Sequence, residues 1–118
     1  MRLYLAVSLF NGHASFPCYG LIDSGADDCI FPASFARYLG FELASGKTYR
    51  FGGVASLGQE AYFFDLEMVI AGIIPHKLAV GFTTSLDQRG HGLLGQNGFF
   101  DRFAIRFDHR KRSFSIYT

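Results

Sequence analysis

Three aspartates fall within six positions of the stretch LIDSGADDCIF, at Asp23, Asp27 and Asp28. Carboxylates this close can ligate a divalent cation, work as acid and base on a water molecule, or cap a solvated turn. The EF-hand order D-x-[DN]-x-[DN]-G is not met, because counting from Asp23 a glycine stands third and an alanine fourth. Asp23 follows the apolar pair Leu21-Ile22. It therefore leaves the interior at low dielectric, a costly place for a lone carboxylate. Ser24 and Gly25 after it make a sharp turn poor in side chains. About 70 residues later comes a second chemically suggestive element, the glycine-bounded apolar segment Gly92-Leu93-Leu94-Gly95.

The flanking residues fix what must position these groups. Residues 3–10 and 16–22 alternate as strands around Asn11-Gly12, a pair suited to a type I′ hairpin turn with positive φ at both central positions. After the aspartates, PASFARYLGF reads as a helix of about two turns, with Pro32 first, Gly40 as the stop, and Phe31, Phe35, Tyr38 and Leu39 on one face. From Lys47 to Ile70 the period returns to two, with a glycine-bearing tip between two strands. Tyr62, Phe64, Leu66, Met68 and Ile70 lie on one side there, opposite Asp65 and Glu67. HKLAVGF is another strand, followed by the polar loop TTSLDQRGHG. Asn97 can cap a short helix with Phe99, Phe100 and Phe103 inward, and AIRFD and SFSIYT form a terminal hairpin around HRKR. The expectation is an all-β chain, mainly β with one or two short helices, folded as one domain over residues 1–118.

Composition narrows the functional classes. The chain has 118 residues, enough for one core, and 49% are apolar, with 14 Phe and 6 Tyr. Charged residues make up only 18%, below the roughly 25% of an average soluble chain. A net charge of +1 gives no field of one sign toward nucleic acid or an anionic membrane. HRKR, His109 to Arg112, reads as a solvated hairpin tip. GHGLLG matches G-x-G-x-x-G in letters, but no long helix in a βαβ unit follows it. The histidines at positions 13, 76, 91 and 109 are scattered, so no zinc site is expected. Cys18 and Cys29 form no CxxC and read as buried free thiols of a cytoplasmic protein. MRLYLAVSLF reads as a strand rather than a signal peptide, and no run approaches the ~20 apolar residues of a membrane-spanning helix.

Taken together, Asp23-Ser24-Gly25-Ala26 followed by Asp27-Asp28, the hairpin tip Phe51-Gly52-Gly53-Val54, and Leu93-Leu94-Gly95 running into Gln96-Asn97 resemble the retropepsin-like aspartic proteases. These are the retroviral proteases and their bacterial and cellular relatives. The resemblance spans nearly the whole chain in order, and the helix after the signature is similar to the non-viral branch. It implies a single-lobed acid-protease barrel that acts as a homodimer on peptide substrates, without cofactor, metal, nucleic acid or membrane. By the same resemblance Asp23 is catalytic and Ser24, Gly25 and Ala26 form the active-site loop. Gly25, Asp27, Asp28 and the flap residues Gly52, Gly53 and Val54 hold substrate. Two features differ from viral members: Gln96 stands where an arginine often pairs with the aspartate matching Asp27, and the terminal hairpin is longer. With Gln96 in that place, the alternative is the same fold used as a peptide-binding or dimerisation module with little catalysis.

Overall fold

The computed structural model describes residues 2–50, 60–72 and 75–117. Strands β1 (Tyr4–Asn11) and β2 (Ala14–Ile22) pair antiparallel from Tyr4↔Leu21 to Asn11↔Ala14. The hairpin turn sits one residue later than its sequence suggests. Gly12 and His13 are its central residues, and only Gly12 takes a positive φ, 59°. That is the requirement of a type II′ turn, with glycine first, rather than I′. Asn11 is thereby free to donate its Nδ2 to the Leu39 carbonyl, at 2.8 Å.

A short strand β3 (Ile30–Pro32) leads straight into helix α1 (Ala33–Tyr38). Pro32 is the N-cap rather than the first helical residue, and Gly40 ends the segment at φ 77°. Phe31, Phe35 and Leu39 are buried as their spacing suggests, but Tyr38 is 69% exposed and stacks on Phe16. The face of so short a helix is too narrow to bury all four. A 3-10 turn (Leu43–Ser45) precedes β4 (Lys47–Arg50). Then come β5 (Glu60–Ile70) and β6 (Pro75–Thr83), paired from Tyr62↔Phe82 to Val69↔Pro75. Within β5, Leu66, Met68 and Ile70 are buried, Tyr62 and Phe64 half-buried, and Asp65 and Glu67 exposed, which is the expected alternation. A second 3-10 turn (Thr84–Leu86) connects to β7 (Gly92–Leu94), and β8 (Ala104–Asp108) with β9 (Ser113–Tyr117) forms the terminal hairpin.

The sheet order β1-β2-β7-β3-β6-β5-β4 closes through an added β1–β5 pairing, leaving β4 as a flap of sheet beyond β5. Six strands thus make a closed barrel, which removes their free edges. Its core holds Val7, Leu9, Phe31, Met68, Val80, Phe82, Leu94 and Phe99, each at most 2% exposed. Burial of this apolar surface is the main stabilising term. A smaller cluster of Ile30, Ala61 and Leu86, with Phe63 and Leu93 packed on it, forms a second apolar patch. The helix expected after Asn97 is absent. Gly98 at φ 107° breaks the helical path, and the amides of Phe100 and Asp101 reach back five residues to Gly95 and Gln96. Phe99 is buried nonetheless, with Phe100 and Phe103 half-buried against the core. Among the described residues, no helix is long and apolar enough to cross a membrane.

Candidate active site

Asp23 is placed by two elements that meet at one point. Strand β2 ends at Ile22, the chain loops outward through residues 23–29, and it returns as β3. Strand β7 lies between these two, parallel to β2 through Gly20↔Gly92 and Ile22↔Leu94, and antiparallel to β3 at Ile30↔Leu93. The aspartate loop is therefore threaded around the end of β7. Its backbone is tied there at successive points: Asp23 N donates to Leu94 O at 3.1 Å, Gln96 N to Ala26 O at 2.9 Å, and Asn97 N to Asp27 O at 2.8 Å. Ala26 N closes the turn on Asp23 O at 3.1 Å.

Side chains add to this lacing. Asp23 Oδ1 accepts from Gly25 N at 3.0 Å, which fixes the carboxylate over the Ser-Gly turn. Asp23 is half-buried rather than enclosed, and Ser24, Gly25 and Asp27 are exposed. Gln96 Nε2 donates to Ser24 O at 2.8 Å, and Asn97 Nδ2 to Asp28 Oδ1 at 3.1 Å. So Gln96 clamps the loop backbone where an arginine would have held a carboxylate, and the Asp27 side chain has no hydrogen-bond or ion-pair partner among the described residues. Nothing in the sequence marks this brace, because the Gln96 amide and the Ser24 carbonyl it reaches are 72 residues apart. Asn97, expected as a helix cap, holds Asp28 instead.

The structure brings Asp23, Ser24, Gly25, Ala26, Asp27 and Asp28 together with Leu93-Leu94-Gly95 and Gln96-Asn97. Gly52, Gly53 and Val54, the expected flap tip, lie outside the described residues. Leu93 and Ile30, which flank the aspartate loop, carry the second apolar cluster up to its edge. What the arrangement offers chemically is one oriented carboxylate at the rim of an apolar wall.

No family model and no curated protein matches the chain. Among solved structures, that of a retropepsin-like aspartic protease from Rickettsia conorii matches it with a TM-score of 0.68, covering 98% of this chain and 80% of the other at 24% identity. The chain has the retropepsin-like fold. Within this retropepsin-like fold the aspartate loop is the segment wound about β7, so the closed barrel and the position of Asp23 follow from one topology. Both cysteines of the chain are free. Cys29 is buried at the loop's end and Cys18 is half-buried, less than its sequence suggests, with desolvation pushing each thiol up to about 12.

Proposed function

We propose that the chain is a homodimeric aspartic endopeptidase. The observation that carries this reading is the oriented Asp23 carboxylate on a loop laced to β7 within a retropepsin-like fold. The chain has one Asp-Ser-Gly motif, whereas activating water by this chemistry takes two carboxylates. A second copy related by a two-fold axis supplies the other Asp23. Two carboxyls about 3 Å apart cannot both ionise, so the pair shares one proton and titrates as a unit.

In the reaction the ionised Asp23 takes a proton from the water as it attacks the scissile carbonyl. The protonated partner aspartate hydrogen-bonds the carbonyl oxygen and then passes a proton to the leaving amine. Ser24 braces one loop against its mate across the interface. The substrate lies extended along the cleft with Gly25 offering its carbonyl, Asp27 and Asp28 holding main-chain or polar groups, and Gly52, Gly53 and Val54 closing over it as a flap. Apolar substrate side chains pack on the half-buried Leu93, which Ile30 backs from the interior. The two free thiols support a reducing, cytoplasmic setting.

The test is Asp23→Asn, which keeps the shape and removes the base. Cleavage of denatured protein at mildly acidic pH should fall to background while the sedimentation behaviour stays dimeric. Undiminished cleavage would overturn the proposal. A variant that binds peptide like the parent, where the parent itself has no turnover, would instead support a peptide-binding module.

A further inference from the structure

Beside Asp28 the barrel wall is hollowed into a cavity of about 390 Å³. Phe63, Leu78 and Ala79, from β5 and β6, give it an apolar floor, while Asp28, Asp101 and Arg102 bring charge to its walls. Both carboxylates spend one oxygen on holding the wall. Asp28 Oδ1 accepts from Asn97 Nδ2, and Asp101 Oδ1 accepts from Gly98 N at 3.0 Å. Their remaining oxygens have no hydrogen-bond partner among the described residues.

Arg102 offsets only part of this charge. Its Nε lies 3.9 Å from Asp101 Oδ1, with the two side chains 42% and 53% exposed, so the pair is loose and well screened. Among the lining residues two oriented carboxylates stand against one guanidinium, so the lining itself carries about one negative charge over an apolar floor, with Lys47 across β4–β5 from Phe63. A side chain with an aliphatic stem and a cationic head complements both features, because it buries the stem and keeps the head on the charged wall.

We propose that this cavity is a specificity pocket for a lysine or arginine of the peptide substrate, with Asp28 and Asp101 receiving the cationic head. The proposal rests on the endopeptidase reading. Asp28 follows Gly25 by three residues, so a substrate strand held at Gly25 and running past Asp28 turns alternate side chains toward the hollow.

Two measurements test it. The first is digestion of a peptide library, in which Lys and Arg should be enriched at one position a few residues from the scissile bond. Matched peptides with lysine or the uncharged norleucine there should differ about fivefold in kcat/KM, the size of a partly exposed ion pair. Asp101→Asn and Asp28→Asn should each shrink that ratio toward one, and Arg102→Ala should enlarge it. The second measurement needs no cleavage: fluorescence anisotropy of the same two labelled peptides on Asp23→Asn protein should show the same preference in Kd. Failure of turnover with a preserved lysine preference in binding would sink the endopeptidase reading and keep the pocket. Equal treatment of lysine and norleucine in both measurements, preference for an acidic residue, or Asn variants that leave the ratio intact would overturn the pocket itself.

Discussion

Given a methyl group, Gly95 would place its Cβ 2.6 Å from the Ala26 carbonyl oxygen and against the carbonyl of Asp28. Neither obstacle can swing aside, since both are backbone and the Ala26 oxygen already accepts from Gln96 N. Gly95→Ala must therefore push the aspartate loop off the end of β7. We expect a loss of about 3 kcal/mol from this overpacking, which in a chain of this size lowers Tm by roughly 12 °C. Thermal unfolding followed by circular dichroism checks it, and a Tm within a few degrees of the parent would show the loop to be more yielding than its bonds suggest. The need for glycine was legible in LLG because a glycine closed an apolar strand. The Gln96 to Ser24 bond was not, because a glutamine side chain declares no partner until two segments 72 residues apart are brought together. The place of Asp23 in the fold was legible, since charges directly after the apolar run Leu21-Ile22 mark where strand β2 leaves the core.

The turn after β7 shows where periodicity misleads. Phe99, Phe100 and Phe103 have helical spacing, yet Gly98 at positive φ and the Asp101 carboxylate on its amide convert the segment into consecutive turns that still bury the aromatics. Burial was readable; the backbone path, decided by one glycine, was not. This turned segment meets β6 at His76, whose ring lies 4.9 Å from that of Phe103. The ring as a whole is half-buried, but its Nε2 is buried with no hydrogen-bond partner among the described residues. Desolvation lowers its pKa, with the Arg102 charge adding to the effect. In the unfolded chain an ordinary imidazole takes up its proton near pH 6.5. As pH falls through that value the unfolded state binds more protons than the folded one, so stability drops. His76→Phe keeps the ring contact and removes the proton site. Between pH 7.5 and 5.5 the parent should lose more denaturant resistance than His76→Phe does, as read from urea midpoints at each pH. Equal losses in the two proteins would assign the acid sensitivity to other groups.

Closure of the barrel depends on the β1–β5 pairing, Val7↔Ile70 to Phe10↔Glu67, and no local pattern in either strand announces it. The strands were legible by their alternation; which edges meet is decided by the whole chain's packing, and long-range pairing leaves no local trace. The same limit applies beyond one chain. A single copy presents a single Asp23, so on the proposed mechanism each active site is assembled from two chains and its activity depends on how copies pair. Mixing distinguishes this from a self-sufficient monomer. When wild type is combined with an equal amount of Asp23→Asn under conditions that allow exchange, random pairing leaves only about half of the wild-type chains facing another wild-type chain. Cleavage per wild-type chain should fall to about half, and further as the variant is added in excess, because mixed dimers hold one carboxylate and cannot share a proton across the axis. Dilution should lower specific activity in the same way, through mass action on the dimer. A monomeric enzyme would keep its full rate in both experiments. A rate per wild-type chain indifferent to the added variant, in a mixture shown by sedimentation to be exchanging, would mean that Asp23 acts without its counterpart.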